Sequence, residues 1–534
     1  MSDRPPGSGD RQAPGDFALW SSVPAGHAYA VDGAARGEIV SVSVNASRES
    51  TRTALPGWAS HVVLGLIVAI AAYLRFNGLG ADSLWFDEAA SWDQATAGGL
   101  TDVIAATATD NYPPLHNLIL WATIGVLGDS EWALRLPSAV FGVLNVAAIY
   151  WVASLVAGRA AGLIAALLLA LSAFPAWYSG EARMYALLAL SATLFAGASL
   201  RLWTRSSAVN TILVGVAGLA LLYSHPYGAL TWLCIAGAGA VVCARRSGPG
   251  GLRAWQWVAL QLVLLAGFLP WAWVLYRRAE AISERGFWIA YPTPAFVFRQ
   301  IENLLSGPYV LALVVAAAVA GLWFKPREGG VFGDPPALPP LPARVIAKNL
   351  LLPAWAFGPI VLGYLISVAV EPIFVARYLL GSLPAILILA AIGLSRLTTS
   401  MPAAAATMAV VAGVTWFAGS GPGPRDDWRG AVTLVAELYR PPICVLMPGT
   451  GGVRVLRYYL RTPVDCLIFG SGPQPVDPRR VPSDLVFVVA YSTGGRSVEA
   501  VGADLREALP PPVWQVNGSI PFRGIEVMSV SRNR

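Results

Sequence analysis

Apolar residues recur along this chain in blocks of nearly one length. They fall at about 59–76, 136–157, 160–178, 184–203, 208–224, 226–244, 255–276, 308–324, 349–370, 378–397 and 401–419. Each block is close to the roughly 20 residues that a helix needs to cross the hydrocarbon core of a bilayer. The pattern therefore predicts about eleven transmembrane helices over residues 59–421. A twelfth apolar block, Leu115 to Gly128, has only about 14 residues, a length that predicts an interfacial or re-entrant helix rather than a full span. Residues 1–58 are polar and rich in Pro, Gly and Ser, which predicts a flexible tail. They lack a signal-peptide layout, so the first apolar block is expected to remain as an uncleaved anchor.

Beyond Pro422 the pattern changes. Pro441–Met447 reads as a strand, Val453–Leu460 as a helix, Leu485–Tyr491 as a strand and Ser497–Leu509 as a helix, with one or two more strands between Val513 and Val530. Alternating short strands and helices predict a small α/β domain over residues 422–534. The fold class expected is mainly α, a polytopic membrane protein with a small C-terminal α/β domain.

Composition agrees with the membrane reading. Hydrophobic residues make up 55% of the 534 positions and charged residues 13%, against about 25% charged in soluble domains. That excludes a soluble multi-domain enzyme, a disordered chain and a disulfide scaffold. The net charge of +6 is assigned to basic loops on the inner side of a membrane, and no nucleic-acid partner is expected. The basic residues are almost all Arg, Lys325 and Lys348 being the lysines, a bias associated with GC-rich bacterial genomes.

The positive-inside rule sets the orientation. With the N-terminal tail in the cytoplasm, its five arginines lie inside; the loop over 77–134 has no Lys or Arg but holds Asp82, Asp87, Glu88, Asp93, Asp102 and Asp110, so it belongs outside. If Leu115–Gly128 does not cross, Arg159, Arg201, Arg205, Arg245, Arg253 and Arg396 all fall inside and the C-terminal region falls outside. Arg277, Arg278 and Arg285 oppose the scheme: either the topology differs there or those charges have a job. Cys444 and Cys466 lie in the C-terminal region, where an oxidising space would let them pair.

Asp87 and Glu88, within Leu84-Trp-Phe-Asp-Glu88, are the most informative pair. Adjacent carboxylates among aromatic residues suit a general base, because apolar walls raise a carboxyl pKa. They equally suit a helix N-terminus, where the dipole favours negative charge. Asn111-Tyr-Pro-Pro-Leu-His116 marks a helix start and puts His116 in its first turn. Arg135, Arg183, Tyr185, His225, Tyr227, Arg377 and Tyr378 fall at predicted outer ends of spans, on the side that carries Asp87. Arg and Tyr can simply anchor helices at the interface. Their shared side instead favours a lipid phosphate, which Arg can hold bidentately. Pro448–Arg454 looks superficially like a dinucleotide loop but lacks the full spacing.

With these residues in view, the chain resembles the GT-C superfamily of membrane glycosyltransferases, and in particular glycosyltransferase family 39, which includes protein O-mannosyltransferases and bacterial aminoarabinose transferase. The pieces that carry the resemblance are Leu84-Trp-Phe-Asp-Glu88, Tyr112-Pro-Pro-Leu-His116, Glu131-Trp-Ala-Leu-Arg-Leu-Pro137, Glu181-Ala-Arg-Met-Tyr185 and Arg377-Tyr-Leu-Leu380, spread over about residues 60–400. The resemblance implies inverting transfer from a polyprenyl-phosphate sugar to the hydroxyl of a glycan, glycolipid or protein, outside a bacterial plasma membrane. It implies that Asp87 deprotonates the acceptor with support from Glu88, and that Arg135, Arg183 and Arg377 contact the donor phosphate. Some members bind a divalent metal, and no ligand set in this sequence decides the matter. A transporter or flippase of a lipid-linked substrate is the alternative; its polar residues would sit near the midplane, whereas here they gather at one surface.

Overall fold

The computed structural model describes residues 57–245, 252–283, 289–323, 345–398, 400–417, 425–438, 444–449, 451–461, 466–469, 477, 481, 485–491 and 497–533. The expected tail as far as residue 56, Arg285, Lys325 and most of the glycine-containing loop after Tyr491 lie outside these residues, and residues 57 and 58 begin the first helix. Among the described residues the helical part runs α1 (Gly57–Phe76), α2 (Phe86–Ala95), α3 (Leu100–Thr107), α4 (Leu115–Leu127), α5 (Glu131–Leu171), α6 (Ala173–Ser179), α7 (Tyr185–Thr204), α8 (Ala208–Leu222), α9 (Pro226–Arg245), α10 (Ala254–Ser283), α11 (Pro294–Leu304), α12 (Pro308–Trp323), α13 (Leu352–Ala369), α14 (Leu383–Ser395) and α15 (Met401–Phe417).

All eleven predicted blocks are helical over most of their length, but their lengths differ from the expectation. Among the described residues, six helices are long and apolar enough to cross a membrane: α1, α5, α7, α9, α10, and α13 with the turn before it. The blocks at 136–157 and 160–178 belong largely to one helix, α5, opened by Ser130, whose side chain accepts the Ala133 N–H. It breaks at Ala157 and Gly158; Gly158 takes φ 86°, which the absence of a Cβ allows. The block at 378–397 is shortened because Ala376–Gly381 forms a 3₁₀ turn before α14. α11 was not predicted. It pairs with α12 across an 86° bend, made by Ser306 and Gly307 at φ 63° and 109°. The short block at Leu115 is the 13-residue α4.

The best-buried helices lie at the centre. The spanning windows of α5 and α7 are 83% and 89% buried, against 17% for α1 and 22% for α10, so the latter two lie at the rim. Small residues let the inner helices meet closely. A Cβ on Gly393 of α14 would collide with the Ala317 carbonyl oxygen of α12. Overpacking of this kind costs about 1–3 kcal/mol. Gly393→Ala is therefore expected to lower the thermal unfolding temperature of the purified protein by more than about 2 °C. An unchanged temperature would mean that the helices do not approach so closely.

The C-terminal region is an α/β layer: α16 (Trp428–Glu437), β1 (Cys444–Met447), α17 (Gly451–Leu460), β2 (Cys466–Phe469), β3 (Leu485–Tyr491), α18 (Val498–Glu507), β4 (Trp514–Phe522) and β5 (Ile525–Arg532). Its sheet has the order β2-β1-β3-β5-β4. β1 pairs in parallel with β2 and β3, whereas β3–β5 and β5–β4 are antiparallel. Alternate residues of β3 serve opposite faces, as the two-residue period of a strand dictates. Phe487, Val489 and Tyr491 pack with α16 and α17, and Val488 and Ala490 pack with α18. Cys444 is disulfide-bonded and lies opposite Cys466 in the β1–β2 register, while Cys234 and Cys243 are not disulfide-bonded. Residues 53–534 form one compact unit. Phe86 and Ala89 of α2 join the cluster on the α16–α17 face, so the helix that carries Asp87 and Glu88 packs against the C-terminal layer.

Candidate active site

The two acids of the Leu84–Glu88 motif begin α2, and successive residues of a helix point about 100° apart. Asp87 and Glu88 thus face different surroundings. Glu88 is fully buried. It accepts the Trp85 N–H at 3.3 Å and so caps the start of α2. The Arg135 guanidinium grips it with Nε on Oε1 and Nη2 on Oε2, both at 2.8 Å. The Ala182 N–H adds 2.9 Å to Oε1, and Arg425 approaches Oε2 at 3.3 Å. Burial by itself raises a carboxyl pKa; here the charges of Arg135 and Arg425 and the hydrogen bonds from Arg135 and Ala182 outweigh it and hold Glu88 at about 2.

Arg135 has a different role from the phosphate contact that the resemblance implied. Its remaining N–H groups donate to the carbonyls of Leu79 (3.0 Å), Asp82 (2.8 Å) and Ser83 (2.9 Å). All five guanidinium donors are engaged by protein acceptors, and the side chain is buried. Arg135 fastens the loop over 77–134 to α5 and has no donor left for a ligand. Glu88 is likewise saturated: it supports the loop and cannot itself exchange a proton near neutral pH.

Asp87 is open where Glu88 is closed. Its side chain is 32% exposed, and its nearest cation is Arg377, 3.8 Å away. Arg183 donates from Nη1 to the Asp87 carbonyl at 3.2 Å and to Ser91 Oγ at 3.1 Å, with its guanidinium 4.5 Å above the Tyr112 ring. Arg377 lies against Trp85, Tyr185 and Tyr378 at 5.6–5.9 Å. The Tyr112 and Tyr378 hydroxyls meet at 3.1 Å. His225 packs 4.7 Å from Tyr378 and 5.4 Å from Tyr112, and Tyr227 donates its hydroxyl to the Ile373 carbonyl at 2.9 Å. The sequence-predicted Asp87, Arg183, Tyr185, His225, Tyr227, Arg377 and Tyr378 therefore converge, from five separate helices and turns, on one acid flanked by two guanidinium groups and walled by aromatic rings.

Three expected residues fall elsewhere. His116 is buried behind this group, 3.4 Å from Ser138 Oγ, which in turn donates to the Arg183 carbonyl at 3.0 Å; it supports Arg183 from behind. Arg277 and Arg278 sit near the end of α10, Arg277 exposed beside Trp273, and among the described residues neither contacts the Asp87 group.

Sequence reasoning missed Tyr178, Glu181 as a separate acid, and Arg425. Tyr178 is hydrogen-bonded to Arg377. Glu181 is buried, accepts the Trp177 indole N–H at 3.0 Å and meets Arg425 at 3.5 Å. Burial raises it to about 7, against the pull of Arg425 and with a further push from Glu88. Among the described residues there is no cluster of three His, Cys, Asp or Glu side chains that would hold a metal ion. Arg425 already lies between Glu88 and Glu181. Glu88 and Glu181 are thus compensated by a guanidinium rather than arranged around a divalent cation.

Comparison with known proteins bears on the fold. A family model described as dolichyl-phosphate-mannose-protein mannosyltransferase matches residues 111–274. ArnT from Cupriavidus metallidurans in the apo state is similar with a TM-score of 0.54 and 15% identity, over 88% of this chain and 98% of that one. The structure of the same protein bound to undecaprenyl phosphate gives 0.54 and 14%, over 89% and 98%. No curated protein matches by sequence. The resemblance read from the motifs is borne out: the chain is a multi-pass membrane protein with the fold of the GT-C glycosyltransferases.

Proposed function

We propose that the protein is an inverting glycosyltransferase that moves a sugar from a polyprenyl-phosphate donor to an acceptor hydroxyl at the outer face of a bacterial plasma membrane. The observation that carries this reading is the half-exposed Asp87 carboxylate, set between Arg183 and Arg377 beneath an aromatic wall. In the reaction, the acceptor oxygen attacks the anomeric carbon from the face opposite the phosphate. The new C–O bond forms as the anomeric C–O bond to phosphate breaks, the acceptor proton passes to Asp87, and the lipid phosphate leaves as an anion. Arg183 and Arg377 suit that leaving group, because cations that bind more strongly as charge develops lower the barrier. The aromatic rings suit the faces of a sugar.

The undecaprenyl phosphate bound by the similar ArnT supports a lipid-phosphate ligand. The disulfide-bonded Cys444 supports an oxidising, external side for the C-terminal layer, and that layer packs on the loop with Asp87. We read the eleven apolar helical blocks as spans on this basis, and residues 422–534 as an external domain that reads the acceptor. The test is transfer by the purified protein. A panel of polyprenyl-phosphate sugars is offered with envelope glycan, glycolipid and peptide acceptors, and release of polyprenyl phosphate is followed. Release that requires an acceptor supports the reading. Movement of the intact lipid-linked sugar across vesicles without release would favour a flippase instead.

A further inference from the structure

We propose that Arg425, delivered by the segment that enters the C-terminal layer, is a positioning residue: its guanidinium neutralises the buried Glu88 and Glu181 together and so holds the loop bearing Asp87 against the turn bearing Arg183. Arg425 is 337 residues from Glu88 in sequence and 8% exposed. It reaches Glu88 Oε2 at 3.3 Å through Nη1 and Glu181 Oε1 at 3.5 Å through Nη2. It also donates to the Gly180 carbonyl at 3.2 Å and lies 4.9 Å over the Trp177 ring. One guanidinium therefore ties α2 to the Gly180–Arg183 turn, which supplies the Ala182 N–H to Glu88 and the Arg183 guanidinium to the Asp87 carbonyl.

The C-terminal layer sets where Arg425 stands. Arg523, at the turn between β4 and β5, donates from Nε to the Arg425 carbonyl at 2.6 Å. Its Nη2 reaches Asp82 of the external loop at 3.1 Å. The layer thus completes the acid site besides packing on it.

Charge explains why the site needs this cation. Two carboxylates buried together cannot both stay ionised without a cation. Glu88 has Arg135 to itself, so the loss of Arg425 falls on Glu181. Glu181 Oε2 has no hydrogen-bond partner among the described residues. The charged and titratable groups facing Glu181 are Arg425, Glu88, Arg377 and Asp87, with Tyr178 beside it. Only Arg425 forms an ion pair with it among the described residues.

The positioning role rests on the reading of Asp87 as the base, whereas the pairing with Glu181 stands without it. The test uses the full chain in lipid nanodiscs, with retention of added undecaprenyl phosphate as the folding control. Infrared spectra are recorded well above pH 7. Arg425→Gln should gain a protonated-carboxyl band that disappears in the Arg425→Gln/Glu181→Gln double variant. In the transfer assay, Arg425→Gln should lose on the order of 100-fold in kcat with little change in donor KM. The double variant should recover part of that loss, because no uncompensated carboxylate remains. Arg425→Lys should fall between, since an ammonium cannot fork across two carboxylates. A wild-type protein without transfer activity would count against the proposed function and leave the infrared result to decide the pairing. Absence of the band overturns the pairing, and a double variant no better than Arg425→Gln overturns the positioning role.

Discussion

Asp87→Asn is expected to abolish sugar transfer while leaving the protein folded and able to retain undecaprenyl phosphate. The amide keeps the size and hydrogen-bonding reach of the acid but cannot take the acceptor proton. Loss of a general base lowers kcat by about 10²–10⁴-fold. The structural cost is small, because the side chain is partly exposed and its nearest cation is 3.8 Å away; exposed pairs contribute about 0–1 kcal/mol. Transfer rates measured beside thermal unfolding separate the two effects. An Asp87→Asn protein that transfers sugar at the wild-type rate would remove Asp87 from the mechanism.

Its sequence neighbour should behave in the opposite way. Glu88→Gln is expected to destabilise the protein by about 3–5 kcal/mol, the cost of leaving a buried cation without its partner. Arg135 donates twice to Glu88 in the absence of solvent, and a neutral amide can accept only one of those bonds well. The pH dependence follows from the carboxyl being held at about 2 against about 4.3 in an unfolded chain. A lowered carboxyl pKa stabilises the fold above the unfolded value and is lost as pH falls through the folded one. The part of the stability gap between wild type and Glu88→Gln that comes from this carboxyl should therefore be complete above about pH 4.5 and shrink toward about 2. Thermal unfolding across that range reads it directly, and a variant as stable as wild type at neutral pH would sink the assignment.

These contrasting neighbours show what one dimension of sequence carries. The string Leu84–Glu88 marks the site because adjacent acids among aromatics are unusual, and Arg183 and Arg377 were legible because hydropathy puts them at the ends of apolar blocks. Which acid is open depends on the helical rotation and on the partners of Glu88, which lie 47 and 94 residues away. Arg135 looks like a phosphate ligand for the same reason as Arg183, an arginine beside a span. Only the three loop carbonyls folded around it reveal that its donors are spent. Arg425 gave no signal, since it follows a Pro- and Gly-rich stretch with no period and its partners come from the opposite end of the chain. α11 escaped because Arg299 and Glu302 interrupt its apolar run, and β2 because four residues carry little periodicity.

The central claim is that this open acid and the two arginines form one pocket for a lipid phosphate, and a structure of the protein with undecaprenyl phosphate tests it most directly. The account predicts the phosphate in hydrogen-bonding contact with Arg183 or Arg377, on the far side of the pocket from the Asp87 carboxylate. A phosphate held at the other end of α7, beside Arg201 and Arg205, with the Asp87 pocket empty, would contradict it.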